Sequence, residues 1–285
     1  MPADHGKRVG GHEGWVAPVP RFVKRIYCHH VALSDEHIVA TRFIEVLRKD
    51  PRGLPIPVRL TMTLPDTGQS YRIGGRRTKN KHYTLEYTTR VCSRCNSEWM
   101  NDMDDLAFPH VSEMIRGNPV HFDSAMAAAV AGWVCKVVVT ARSHPLHPMP
   151  IEREWTDWLY QHHAPLPRWY VWVGRYIGRE PFWYQPHDIS IRELEPGSAL
   201  VPHSRDLIRD HGALATMVIG YMIVQTYGVA GEERLLTPDH AQGLLPRIWP
   251  FNGDVAWPPA GTVDDSGLQA YADRLLSDRT TLRDA

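Results

Sequence analysis

Two cysteines separated by two residues, Cys92 and Cys95, are followed at once by Asn96 in the stretch VCSRCNSEWM. Paired thiols at one turn are soft metal ligands, and a tetrahedral zinc ion requires four ligands. The other ligands must come from a different segment, and the upstream stretch IYCHH supplies Cys28 and two adjacent histidines. The sequence therefore predicts a zinc ion held by the three thiols and one of these histidines. The alternative is that Cys28 is a buried strand residue and the cysteine pair is a metal-free turn.

A second group of residues lies between the two cysteine segments. In SDEHI, Glu36 is followed directly by His37. A carboxylate is a ligand for a hard divalent cation, and an imidazole can exchange a proton near neutral pH. The pair predicts a cation site with a general base beside it. With 16 histidines in the chain, the alternative is that His37 has no ligand and lies at the start of a helix.

The order of these motifs resembles the HNH endonuclease family, in particular its zinc-stapled ββα-metal type and a divergent bacterial branch of it. The resemblance rests on Glu36-His37-Ile38, on Val91-Cys92-Ser93-Arg94-Cys95-Asn96 and on Trp99-Met100, and it extends over residues 25–116. It implies a phosphodiester hydrolase that acts on nucleic acid, on DNA rather than RNA. The family's middle Asn is absent, since Thr88–Arg90 stands in its place.

The resemblance also implies a role for each matching residue. His37 would be the general base, Glu36 would hold a catalytic Mg²⁺ or Mn²⁺, and Asn96 would contact metal or phosphate. The implied ligands of the structural zinc are Cys28, His30, Cys92 and Cys95.

Composition limits the remaining possibilities. The chain has 285 residues, zero formal net charge and four cysteines, so it is a globular protein without a disulfide scaffold. The N-terminus lacks an apolar signal core, which predicts a cytoplasmic protein, where paired cysteines favour metal binding. The longest apolar run is broken by Lys136 and is predicted to be too short to span a membrane.

One local cluster of positive charge is predicted to contact nucleic acid. The loop RIGGRRTKNKH carries five basic residues without an acid: Arg72, Arg76, Arg77, Lys79 and Lys81. The alternative is a solvated hairpin tip. The acidic residues of NDMDD, 101–105, are interpreted as solvated positions on a helix surface, although Asn101 and Asp105 share a face and could reach a cation.

Secondary-structure patterns indicate which elements position these motifs. A Ser-Asp cap predicts a helix over 34–47, and a helix over 96–117 is expected to break at Pro109 and end at Gly117. Further predicted helices are 124–143, 152–163 and a closing helix over 265–279; predicted strands are 21–28, 57–64, 81–91, 168–178 and 182–194; and 212–228 is a helix or a strand pair.

These elements predict an α+β protein in three parts. Residues 1–20 form a flexible arm, 21–118 an HNH-like module, and 119–285 a mainly helical accessory domain with some strands that could bind a protein partner or self-associate. The predicted function is metal-dependent hydrolysis of nucleic acid. Two alternatives remain: a catalytically inactive zinc-knuckle module that binds nucleic acid or protein, and a helical interaction protein without metal.

Overall fold

The computed structural model describes residues 26–28, 33–49, 52, 59–63, 70–74, 88–144, 149–192, 208–229, 244–268 and 270. Over these ranges the chain mixes helices and strands, which confirms the α+β class. The three-part division of the chain stays a prediction. One hydrophobic cluster includes residues from both sides of position 118, such as Phe43 and Trp99 before it and Trp133 and Val171 after it.

The front of the chain contains a two-stranded antiparallel sheet followed by a long helical segment. Strand β1 (Leu33–His37) pairs with β4 (Thr88–Cys92). Helix α1 (Thr41–Leu47) follows β1, and a separate hairpin joins β2 (Arg59–Thr63) to β3 (Ser70–Gly74). The pairing of β1 with β4 places Glu36 opposite Thr89 and therefore fixes the position of the carboxylate.

Three of the expectations for this region are wrong. Residues 33–37 form a strand, because five residues of β1 pair with β4 and this pairing overrides the local Ser-Asp capping signal. Residues 26–28 are buried but not in a strand, and 21–25 lie outside the described residues. The segment expected to be a loop between strands contributes β3. Of the predicted strand 81–91, the part from Thr88 onward is strand β4, and 81–87 lie outside the described residues.

The helical segment after β4 runs without a break past Pro109. It consists of α2 (Ser93–Cys95), a π-helical turn (Asn96–Met100) and α3 (Asn101–Arg116). The irregular backbone lies at Glu98, with φ −104° and ψ −109°, rather than at the proline. Pro109 and Asp105 are both exposed, so water can satisfy the carbonyl that the proline leaves unpaired. Gly117, at φ 85°, ends the helix as expected.

The rear part is built on a sheet, not mainly on helices. The sheet contains six strands: β6 (Trp169–Tyr176), β7 (Phe182–Arg192), β8 (Ile208–Ile219), β9 (Met222–Val229), β10 (Arg247–Trp249) and β12 (Thr262–Val263). Five of them lie side by side in the order β10-β6-β9-β8-β7, and β12 pairs with β6. The apolar segment 212–228 is thus a strand pair, turning at Gly220 with φ 59°. Its strands are buried on both faces, which removes the alternation that distinguishes a strand from a buried helix.

The described residues of the rear part also include two helices and a small antiparallel strand pair. Helix α4 (Ser124–Ala141) is capped by the Asp123 carboxylate, which accepts a hydrogen bond from the Met126 amide, and α5 is Arg153–His162. Strand β5 (Val120–Phe122) pairs with β11 (Val255–Trp257). In the closing segment 265–268 is helical, and most of the predicted helix lies outside the described residues.

Helix α4 is strongly apolar. By length and mean hydropathy it is sufficient to cross a membrane, which corrects the expectation that it is too short. However, 72% of it is buried inside the protein, as expected for the core helix of a folded domain. It packs against the front part, where the Tyr27 hydroxyl hydrogen-bonds the Thr140 hydroxyl at 2.8 Å.

Candidate metal centre and adjoining cleft

Three thiols that are distant in sequence meet at one point of the structure. The sulfur atoms of Cys28, Cys92 and Cys95 all lie within 4.8 Å of one another, and all three residues are buried. A zinc ion about 2.3 Å from each sulfur would hold the sulfurs roughly 3.8 Å apart. The Cys28 and Cys95 sulfurs are 3.4 Å apart, and both are free thiols rather than a disulfide. The cluster can therefore hold a metal ion such as zinc.

The surrounding chain positions the three thiols through contacts with other elements. Cys92 ends β4 and Cys95 lies at the start of the helical segment, so the turn between them is anchored at both ends. Trp99 packs edge-on against Tyr27, with ring centroids 4.9 Å apart, and thereby joins the helix to the segment that carries Cys28. His29 and His30 lie outside the described residues, so the fourth ligand stays a prediction.

The two thiols of the pair differ in acidity. Burial acts to raise the pKa of Cys92, but hydrogen bonds from the Cys95 backbone and the Cys28 side chain leave it below its usual value. Burial raises the pKa of Cys95 to about 12. A metal ion that binds here must displace a proton from the Cys95 thiol, and its uptake is expected to depend on pH.

A cleft of about 270 Å³ adjoins the helical segment. Its lining includes the three residues predicted to be catalytic, Glu36, His37 and Asn96. The sequence separates the first two from Asn96 by some sixty positions, and the β1–β4 pairing brings them together. The remaining lining residues are Asp35, Ala40, Thr41, Arg42, Asn101 and Asp104.

A buried charge network lies against the cleft. Lys136 of α4 is fully buried, and its Nζ lies 2.6 Å from Asp104 Oδ1 and 3.6 Å from Glu36 Oε1. The pKa of Glu36 is raised to about 7, chiefly by burial and in part by the Asp104 carboxylate, although the Lys136 ammonium acts in the opposite direction. Two carboxylates and one ammonium leave the network one negative charge when all three groups are ionised.

The rim of the cleft carries a fixed arginine. Arg42 of α1 forms an ion pair with the exposed Asp105, and its Nη2 donates a hydrogen bond to Asn101 Oδ1 at 2.5 Å. Asn101 in turn donates to Asp105 at 2.9 Å. The guanidinium is therefore held in place while its side chain remains 30% exposed, which suits contact with an anion.

Asn96 makes contacts within the protein. Its Nδ2 donates to the Ser34 hydroxyl at 3.0 Å and to the Asp35 carbonyl at 3.4 Å. The amide therefore ties the first turn of the helical segment to β1. This contact holds the helical side of the cleft, which carries Asn96, next to its β1 side.

Not every predicted site residue can be placed. Arg72 lies on β3, with its side chain outside the description, and the other four basic residues lie outside the described residues altogether. Sequence reasoning missed Arg42, Asp104 and Lys136. The interpretation of NDMDD as surface acids is wrong for Asp104, which is buried because it faces Lys136. A single lysine in an apolar helix was the available indication, because such a charge requires a buried partner.

Comparisons of the chain with protein-family models, with curated proteins and with solved structures found no match. The function is therefore inferred from the geometry of the thiol cluster and the cleft.

Proposed function

We propose that this protein is a metal-dependent nuclease that hydrolyses phosphodiester bonds in nucleic acid, DNA rather than RNA, in the manner of HNH-type ββα-metal enzymes. The observation that supports this most is that Glu36, His37 and Asn96 line one cleft beside the three thiols. Strand β1 pairs with β4, and the helical segment follows β4 directly, although α1, β2 and β3 lie between β1 and β4 in the chain. This strand pair with its helix supports the proposal of a ββα-type site.

The thiol cluster has a structural role in this proposal. Cys28, Cys92 and Cys95 hold zinc together with a fourth ligand, for which His30 is the candidate. A β1–β4 pair of five residues in each strand is too short to be stable alone. Zinc binding stabilises the turn between β4 and the helix and so keeps Asn96 next to β1.

The chemistry follows from the groups in the cleft. His37 takes a proton from a water molecule as the water oxygen attacks phosphorus and the bond to the leaving oxygen breaks. Glu36 is the carboxylate available to hold Mg²⁺ or Mn²⁺, which supplies charge neutralisation at the phosphate. Binding of the cation requires the ionised form of Glu36 and therefore competes with its protonation near pH 7.

The rim arginine adds a binding contact for the substrate. Arg42 presents a fixed, partly exposed guanidinium at the cleft, and arginine pairs well with phosphate oxygens. It would bind the phosphate next to the one that is cut. The basic segment 72–81 is proposed to extend this contact along the nucleic-acid backbone.

The decisive experiment is nicking of supercoiled plasmid DNA by the zinc-loaded chain in Mn²⁺ or Mg²⁺. We expect cleavage by the wild-type chain, and loss of at least about 100-fold in rate for His37→Ala, as is typical of removing a general base. His121→Ala is the matched control, because His121 is exposed and pairs with Asp254 away from the cleft. Equal cutting by the His37 and His121 variants would refute the role of His37.

A second candidate function is a zinc-stapled module that binds nucleic acid without cutting it. Two observations favour it: the Asn96 amide is used to tie the helix to β1, and the two cleft carboxylates already share an ammonium. This candidate requires bound zinc and DNA binding that weakens with salt, without cleavage in any divalent cation.

A further inference from the structure

A lysine lies inside the apolar helix α4. Lys136 is fully buried, and its neighbours Val134, Cys135, Val137 and Val138 are buried as well. Removing an ammonium from water is unfavourable unless buried partners replace the hydration that it loses. An apolar side chain at such a position is often as stable or more stable. The charge therefore calls for an explanation other than packing.

The two distances from the ammonium are unequal. Nζ lies 2.6 Å from Asp104, which is hydrogen-bonding distance, and 3.6 Å from Glu36, which is not. Asp104 belongs to α3, Glu36 to β1 and Lys136 to α4, so three elements meet at one charge cluster. Arg42 is a second cation near Glu36 among the described residues, and it is held at the rim by Asn101 and Asp105.

The different distances to the ammonium indicate different roles for the two carboxylates. Asp104 receives the hydrogen bond of the ammonium and neutralises it. Glu36 lies 3.6 Å from the ammonium, beyond hydrogen-bonding distance. Its carboxylate oxygens are therefore available to a second cation. Both carboxylates line the cleft. The one negative charge that the ammonium does not neutralise therefore lies at the cleft surface.

We propose that Asp104 is a positioning residue of this cleft: it accepts the hydrogen bond of the Lys136 ammonium at 2.6 Å, which leaves Glu36 with the weaker ion pair at 3.6 Å and keeps its carboxylate able to bind a divalent cation. The inference rests on the proposed function, of which that cation is a part. It also makes α4 a component of the site, because Lys136 comes from the rear part of the chain. The front segment is then not sufficient to form the complete cleft.

The test measures Mn²⁺ binding to the zinc-loaded full-length chain by electron paramagnetic resonance, without nucleic acid. In Asp104→Asn the ammonium has Glu36 as its remaining anionic partner in the network, and the cluster loses its net negative charge. We expect Mn²⁺ to bind on the order of tenfold more weakly or worse. Glu36→Gln should abolish binding, which locates the Mn²⁺ in the cleft.

A double variant separates positioning from a merely structural role. Asp104→Asn with Lys136→Met removes both members of the hydrogen-bonded pair, which proteins tolerate better than loss of one. It also restores one negative charge, so Mn²⁺ binding should recover to within about threefold of wild type. Zinc content and near-ultraviolet circular dichroism verify that each variant is folded.

The possible results are distinct. The inference is overturned if Asp104→Asn binds Mn²⁺ like the wild-type chain, if the double variant does not recover, or if the wild-type chain binds no Mn²⁺ in the cleft. Wild-type Mn²⁺ binding that follows the expected pattern without cleavage of DNA would refute the nuclease proposal and leave this inference standing. Cleavage of DNA by the wild-type chain, together with unchanged Mn²⁺ affinity in Asp104→Asn, would support the nuclease proposal and refute the role of Asp104.

Discussion

The burial of Glu36 has a measurable consequence for stability as a function of pH. Its side chain lies in the interior, and burial raises its pKa from an ordinary value of 4.5 to about 7. One pKa unit corresponds to about 1.4 kcal/mol, so the difference corresponds to about 3 kcal/mol. The folded state binds this proton more tightly than the unfolded state does. The contribution is therefore fully present below pH 4.5, and it is lost as the pH rises through about 7.

The perturbation that tests this is Glu36→Gln, which keeps the shape of the side chain and removes its titration. Urea unfolding of both proteins at pH 5 and at pH 8, without added Mg²⁺ or Mn²⁺, gives the free energy of unfolding of each. Relative to wild type, the variant should gain about 2 to 3 kcal/mol between the two pH values, and the attraction of Lys136 for the ionised form is already included in the pKa of about 7. The exposed Glu45 of α1 provides the matched control, Glu45→Gln, for which we expect no such gain. Parallel pH dependences for the wild-type chain and Glu36→Gln would refute the buried-carboxylate argument.

Three other predictions concern different parts of the molecule. Cys92→Ser should reduce bound zinc from about one ion per chain to near zero by elemental analysis, whereas Cys135→Ala should retain it, since Cys135 is buried within α4 apart from the cluster; equal zinc in both variants would contradict the proposed centre. Arg42→Ala should raise the KM for DNA by about tenfold with a smaller change in kcat, because a phosphate contact worth about 1.4 kcal/mol is lost; a change in kcat alone would contradict a binding role. Gly220→Ala should destabilise the protein by on the order of 2 kcal/mol in urea unfolding, because its φ of 59° is left-handed and a Cβ would lie 2.4 Å from the Ile115 carbonyl oxygen; an unchanged midpoint would contradict this.

The thiol cluster shows how far spacing can predict a site. The sequence separated Cys28 from the Cys92–Cys95 pair by more than sixty residues, yet the metal-binding chemistry of thiols was sufficient to group them. The structure confirms that the three sulfurs converge. The prediction was possible because zinc bound by two cysteines of one turn needs two more ligands, which are usually Cys or His, and few segments of the chain offer them.

One wrong prediction and one alternative left open show where local sequence patterns were not sufficient. The Ser34-Asp35 pair resembles a helix cap, but β4 supplies an antiparallel partner for the segment, and cross-strand hydrogen bonds decide the conformation. The segments β8 and β9 are buried on both faces, so the periodicity that identifies strands was absent. The partner of β1 is distant in sequence, whereas β8 and β9 pair with each other and also with β7 and β6.

The amino-acid sequence by itself determined the α+β class, the apolar helix α4 and the grouping of three cysteines, because composition, helical periodicity and ligand chemistry act locally. The tertiary structure alone decided that Glu36 is buried, that Asp104 faces inward and that Lys136 reaches both of them. A buried charge is tolerated only where its partner is brought to it, and partners that lie on β1, α3 and α4 are brought together only by packing.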